Sequence, residues 1–165
     1  LSLIKGGGAA LLQEKIVATA SDQMIVIADA AKEVQQLGAF PLPIEVIPFG
    51  WQTTKALIEE MLISVDVLDR DVTLRMNGDK PLLTDEANYI VDLHLKRIGN
   101  PRQLSMILNQ IPGVVENGLF IDICDIVIVG HGDGRVQVRD INAGTQSDDR
   151  IHFVPTDNIF ADLGD

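Results

Sequence analysis

Between Ile44 and Phe120 the hydrophobic pattern changes period in a fixed order: strand, helix, strand, strand, helix, strand. Ile44 to Pro48 (IEVIP) alternates as a half-buried strand does. Thr53 to Ile63 places Ala56, Leu57, Met61 and Leu62 at helical spacing. Val72 to Met76 (VTLRM) alternates again and runs into Asn77-Gly78-Asp79, which has turn chemistry. Asn88 to Leu95 (NYIVDLHL) reads as a strand, Pro101 to Gln110 as a helix with proline at its start, and Gly113 to Phe120 as a last strand. This order is that of the split βαβ, or ferredoxin-like, arrangement.

The flanks have a different character. Met24 to Ala28 (MIVIA) and Asp125 to Val129 (DIVIV) are short continuous apolar runs, the pattern of strands buried on both faces of a parallel sheet. Ala9 to Ala20 predicts a helix with its apolar face at Leu12, Ile16 and Val17. Asp29 to Gly38 reads as a loop with a short helical turn. Arg135 to Arg139 alternates as the hairpin partner of DIVIV across His131-Gly132-Asp133-Gly134. After Ile141, NAGTQSDD reads as a loop and Ile151 to Pro155 as one more strand. Two prolines make Phe40-Pro41-Leu42-Pro43 a rigid connector, and a domain boundary is expected there. The chain is expected to leave a parallel α/β layer (1–43), build a small α+β domain (44–120), and return to the layer (121–165).

Charge and composition narrow the function. With 13 Lys+Arg against 24 Asp+Glu the net charge is −11, which argues against nucleic acid or an anionic membrane as the main partner. No apolar run approaches the roughly 18 residues of a membrane-spanning helix. LSLIKGGG lacks the form of a signal peptide, because its basic residue follows a very short apolar stretch. The single cysteine, Cys124, rules out an internal disulfide framework and a cysteine-based zinc cluster. A soluble cytoplasmic protein is expected.

The sharpest local feature is Lys5-Gly6-Gly7-Gly8 before a helix. Glycines let backbone N–H groups approach a ligand, and a helix N-terminus favours negative charge. The segment is neither a Walker loop nor a GxGxxG fingerprint, and a plain flexible turn is the competing reading. Glu14 adds weight. It lies seven residues after Gly7 and four after Ala10, so a carboxylate would stand at the edge of a space bounded by tiny residues, placed to act as a general base. Lys32 follows the strand MIVIAD, in the zone beyond strand ends where open α/β sheets bind ligands. Lys5, Lys15 and Lys32 make the opening locally basic and point to an anionic group such as a phosphate. His94 reads as structural or surface. His131 and His152 lack metal-ligand spacing, so no metal is assigned. Cys124 reads as a core thiol and Trp51 as packing.

KGGGAALLQEKIVA (Lys5 to Ala18), IADAAKEVQQLGAFPLPIEVIPFG (Ile27 to Gly50), LLTDEANYIVDLH (Leu82 to His94) and IPGVVENGLF (Ile111 to Phe120) resemble ribose-5-phosphate isomerase of the A type, in order and up to about Asp140. The resemblance implies a Rossmann-like α/β domain with an inserted ferredoxin-like domain. It implies interconversion of ribose 5-phosphate and ribulose 5-phosphate through an enediolate, in the non-oxidative pentose phosphate pathway, with no cofactor. It implies that Glu14 is the proton acceptor, that Lys5, Gly6, Gly7 and Gly8 bind substrate, that Lys32 binds it too, and that the protein is a homodimer or larger homo-oligomer. The family's GTGST-type loop and DGADE segment would precede Leu1 and occur nowhere in the chain. A truncated form or fragment is therefore expected, with an exposed sheet edge and little activity alone. Glu86-Ala87 stands where a glycine-containing turn is common in the family, and 141–165 lies outside the matched part. The alternative is a non-enzymatic binding or assembly module built on the ferredoxin-like domain.

Overall fold

The computed structural model describes residues 1–150; the expected strand Ile151–Pro155, with His152, lies outside the described residues. The elements are β1 (Ser2–Ile4), α1 (Leu11–Ala20), β2 (Ile25–Asp29), a 3-10 turn at Ala30–Lys32, β3 (Leu42–Val46), α2 (Trp51–Leu62), β4 (Asp71–Leu74), β5 (Met76–Asn77), β6 (Lys80–Pro81), β7 (Tyr89–His94), α3 (Pro101–Leu108), β8 (Val114–Asn117), β9 (Leu119–Ile121), β10 (Ile126–Gly130), β11 (Arg135–Asp140) and β12 (Thr145–Arg150). The fold is mixed α/β, with a parallel strand pair and an antiparallel ferredoxin-like sheet, as expected.

The described residues form two compact units, Leu1–Met24 with Val34–Cys124, and Ile25–Glu33 with 125–150. These limits differ from those drawn at Pro43 and Phe120. The N-terminal segment groups with the ferredoxin-like sheet because β1 pairs with β9 and α1 lies against β8.

In the first unit the sheet order is β4-β7-β3-β8, all antiparallel, with β3 and β7 central. One face carries Leu42, Ile44, Val46, Val72, Val91 and Leu93 into the core, where Ile58 and Leu62 of α2 and Leu104 and Leu108 of α3 meet them. Both helices present these residues at i, i+4 spacing, which lines up one face. The start of α3 is set by Asn100, whose side chain accepts from the Gln103 N–H at 3.0 Å, and by Pro101 in the first turn. Trp51 packs edge-on against Tyr89.

The prolines do not form a connector here, since Pro43 lies inside β3. In an antiparallel strand a residue's nitrogen and carbonyl face the same neighbour. The Pro43 carbonyl accepts from Gly118 N–H at 2.8 Å, so its nitrogen also faces the place where β8 has just ended. No ladder bond is lost. The expected strand Gly113–Phe120 is broken at Gly118 into β8 and β9, and β9 turns to pair with β1. A Cβ at Gly118 would stand 2.4 Å from the Lys5 carbonyl oxygen and 2.8 Å from Pro43 Cδ.

α1 also departs from its predicted face. Ile16 and Val17 are exposed, and Leu11 and Lys15 turn toward the sheet instead. Lys15 Nζ donates to Glu116 Oε1 at 2.9 Å and to the Asn117 carbonyl at 2.6 Å, and lies 5.0 Å from the centre of the Phe120 ring. A lysine whose charge is answered three ways docks the helix more firmly than the exposed isoleucine does. Burial pushes the Lys15 ammonium below its ordinary pKa, and the Glu116 carboxylate opposes that shift.

The second unit is the sheet β12-β11-β10-β2. β2 runs parallel to β10, as the apolar runs predict. Burial on both faces is not observed: alternate residues of β2 are exposed, Ile27 to 77%, and β2 is the sheet edge. The polar segment expected as a loop after Ile141 contains β12, an exposed strand that pairs with β11 along the backbone ladder, with Gln137 Nε2 donating to Asp148 Oδ1 at 3.1 Å across the pair. Its side chains bury nothing, so no apolar alternation marks it.

Two stability outcomes follow. Gly118→Ala is expected to lose about 3 kcal/mol by overpacking against backbone and a proline ring, read by chemical denaturation. Lys15→Met is expected to lose about 2 kcal/mol by removing the counter-charge of Glu116, and Lys15→Met with Glu116→Gln to recover most of it. Additive losses in that double-mutant cycle would contradict the pairing.

Candidate active site

β1 ends at Ile4, and Lys5 follows with its N–H bonded to the Gly118 carbonyl at 2.9 Å. The chain then reverses. Gly6 adopts φ +100, Ala9 takes the left-handed conformation at φ 66, and Ala9 N–H closes the turn on the Gly6 carbonyl at 3.0 Å. Gly6 is buried, and a Cβ there would meet Leu11 and Pro43 at 2.9 Å, so no other residue fits. Gly7 and Gly8 are exposed, and nothing stands within 4 Å of a Cβ built on Gly8. Their N–H groups meet no acceptor among the described residues.

α1 therefore begins two residues later than its composition suggests, with Ala10 at the N-cap and no side-chain cap. Gly7 is in the turn and not on the helix, so the expected shared face reduces to Ala10 and Glu14. Glu14 N–H bonds to the Ala10 carbonyl at 3.0 Å, placing its carboxylate at the first turn, where the helix dipole favours negative charge.

The reversal brings Lys5 and Glu14 together. Lys5 Nζ lies 3.4 Å from Glu14 Oε1, with side chains 29% and 41% exposed. Lys5 Nζ also lies 5.8 Å from the centre of the buried Phe120 ring. An ammonium, a carboxylate and outward-facing glycine amides thus share one accessible corner, which suits proton transfer beside a developing oxyanion. A surface hollow of about 340 Å³ opens further along α1 between Leu12, Lys15, Ile16, Thr19, Ala20 and Glu116. It includes neither Lys5 nor Glu14.

Arg75 is the residue that the sequence reading passed over. Its Nε and Nη2 bind Asp92 at 2.8 and 2.5 Å, and Nη1 donates to the carbonyls of Gly6 and Gly7 at 3.0 Å each. The available signal was phase. In VTLRM, Arg75 shares the face of Thr73 and not that of Val72, and Asp92 stands opposite Thr73 in the register.

Lys32 belongs to the second unit. It closes the 3-10 turn that Asp29 caps by accepting from the Ala31 N–H at 3.0 Å. Its side chain is 74% exposed and its ammonium is 3.7 Å from Asp29 Oδ2. The neighbouring Glu33 is held by Arg139, whose guanidinium keeps that carboxyl below the usual range. His131 follows the end of β10 with Nδ1 3.1 Å from Arg135 Nη2. His94 Nε2 is 2.8 Å from Thr73 Oγ1. Cys124 is buried. Among the described residues no three His, Cys, Asp or Glu side chains group as a metal site, and no helix is long and apolar enough to cross a membrane.

Known proteins resemble this chain. Residues 1–134 match the model of the family described as ribose 5-phosphate isomerase A (phosphoriboisomerase A). The chain is 75% identical over its full 165 residues to ribose-5-phosphate isomerase A of Ruegeria pomeroyi, and spans 63% of that relative's length. It is 66% identical over 163 residues to that of Jannaschia sp., spanning 62% of it. A solved D-ribose-5-phosphate isomerase in complex with phospho-erythronic acid superposes with a TM-score of 0.75 at 45% identity, over 85% of this chain and 59% of that one. The ribose 5-phosphate isomerase A of Methanocaldococcus jannaschii does so with a TM-score of 0.75 at 37% identity, again over 85% and 59%. With a family model covering most of its residues and relatives identical at two positions in three or better, this chain belongs to the ribose 5-phosphate isomerase A family.

Proposed function

We propose that the protein containing these residues interconverts ribose 5-phosphate and ribulose 5-phosphate, with Glu14 as the base and Lys5, Gly6, Gly7, Gly8 and Lys32 binding substrate. The observation that carries this reading is the 3.4 Å approach of Lys5 and Glu14 across the triglycine bend, in a chain of this family.

The chemistry needs little else. The Glu14 carboxylate takes the proton from C2 of the open-chain aldose. The C–H electrons become the C1–C2 double bond, and charge moves onto the C1 oxygen. That oxyanion is stabilised by the Lys5 ammonium and by amides at the bend, donors already in place before charge develops. The Glu14 carboxyl returns its proton to C1 while the O2 proton passes to O1, leaving a ketone at C2. No electrons leave the substrate, so no redox cofactor enters the balance. Lys32 supplies a second exposed cation for the substrate's phosphate. Phospho-erythronic acid, bound by a solved relative, is a phosphorylated sugar acid whose carboxylate resembles the charge of an enediolate, which fits the same donors.

The protein is further proposed to act in the cytoplasm as a homo-oligomer, in keeping with the family resemblance. An assembly module without chemistry is the less favoured reading, since it gives no reason for a lysine and a glutamate to converge on exposed glycine amides.

In a chain of isomerase length that contains these residues, Glu14→Gln is expected to lower kcat by at least about a hundredfold, with unfolding temperature and sugar-phosphate affinity retained. Turnover that survives the change would remove Glu14 as the base. Lys32→Ala is expected to raise KM for the phosphorylated sugar by about tenfold, with a smaller change in kcat. An unchanged KM in steady-state assays would dissociate Lys32 from the substrate.

A further inference from the structure

We propose that Arg75, oriented by Asp92, is a positioning residue that aims the Gly7 and Gly8 amides at the substrate by holding the carbonyls on the other side of the triglycine bend. The proposal rests on the isomerase reading for its kinetic consequence, but its structural content stands separately.

The peptide plane links the two sides of the bend. In a trans peptide the carbonyl of one residue and the N–H of the next point in opposite directions. Arg75 Nη1 holds the carbonyls of Gly6 and Gly7 at 3.0 Å each. The N–H groups paired with them in the same planes are those of Gly7 and Gly8, which therefore face away from the guanidinium. Both residues are exposed there, and neither amide has an acceptor among the described residues.

Without that hold, consecutive glycines would sample many orientations, because they have the widest backbone freedom of any residue. Arg75 removes this freedom because it is itself fixed. Asp92 occupies Nε and Nη2, which leaves Nη1 for the bend. The Arg75 backbone is bonded on both sides, its N–H to the Ile90 carbonyl at 2.8 Å and its carbonyl to the Leu82 N–H at 2.9 Å. The side chains of Arg75 and Asp92 are 16% and 14% exposed, so water competes weakly for the contacts. Lysine has no planar fork and cannot make the bidentate pair and the bridge at once.

The test uses a chain of isomerase length carrying Arg75→Lys, with phospho-erythronic acid as the probe of charge at the reacting end. Its inhibition constant is expected to rise about tenfold, with KM for ribose 5-phosphate moving less, because the amides bind developing charge best. The Gly7 and Gly8 amide resonances are expected to shift and broaden. A loss of correctly folded protein would lower apparent kcat and move neither constant. If Arg75→Lys fails to fold, Asp92→Asn, which keeps the arginine and weakens its anchor, is expected to shift the same readouts in the same direction by about threefold. An unchanged inhibition constant with unchanged glycine resonances, in whichever variant folds, would overturn the proposal. Absence of turnover in the unmodified chain would instead defeat the isomerase reading, and the glycine resonances would still decide the role of Arg75.

Discussion

The carboxylates of Glu45, Asp92 and Glu116 stand on the face of the four-stranded sheet that turns away from the main core, and each has to be answered by a donor. Register sets the problem: Glu45 pairs directly with Glu116 across β3 and β8, and Asp92 stands opposite Pro43. Like charges placed directly opposite on one sheet face are destabilising. Glu45 Oε1 is met by Thr84 Oγ1 and Asn88 Nδ2 at 2.9 Å each, Asp92 by Arg75, and Glu116 by Lys15. Two of these answers also hold the segment that carries the candidate site. Lys15 fastens α1 one residue beyond Glu14, and Arg75 fastens the bend one residue beyond Lys5. The second face of the sheet is thus the mould in which the candidate site is cast.

This arrangement explains why the site is built from backbone turns and not from a deep cleft in this unit. Gly6 and Gly118 both lie against Pro43, and in each case a Cβ would collide with it at 3.0 Å or less. Such close approach brings Lys5 to the end of β1 beside β9, over the Phe120 ring that Lys15 also reaches. A buried aromatic face attracts cations, and here it draws two ammonium groups that would otherwise repel one another. Glu14 and Glu116 complete an alternation of sign along the corner.

Much of this was legible in the sequence, and the exceptions have physical causes. The strand and helix order between Ile44 and Phe120 reads correctly because those elements turn their apolar side chains to the main core at period two or at i, i+4, so period reports structure. Pro43 misleads because the rule against proline in a central strand assumes a neighbour waiting for its N–H, and β8 has ended at that point. The face of α1 misleads because its docking is ionic: Lys15 and not Ile16 turns to the sheet, and a hydrophobic period cannot register a buried ion pair. β12 is invisible because all its residues are exposed and it carries no apolar alternation. At the site, Lys5, Gly6 and Glu14 are conspicuous as a local string. Arg75 is not, since its partners lie 17 residues away at Asp92 and 68 and 69 residues away at Gly7 and Gly6.

The proposed substrate is an anion and the chain is acidic, an apparent conflict that the distances resolve. At physiological ionic strength the field of a surface charge decays over about 8 Å, so a net charge of −11 matters less to a bound anion than the groups that touch it. Lys15 and Arg75 are not at its disposal, because each is engaged by a carboxylate at hydrogen-bond distance and by a backbone carbonyl as well. Lys5 and Lys32 have looser partners, at 3.4 and 3.7 Å, beyond the length of a strong charge-assisted hydrogen bond. Each of these two ammonium groups can exchange its loose partner for an anion at small cost, while the engaged pair keeps the scaffold in register. Tightness of pairing thus separates the cations that hold structure from those that the proposed function assigns to ligand.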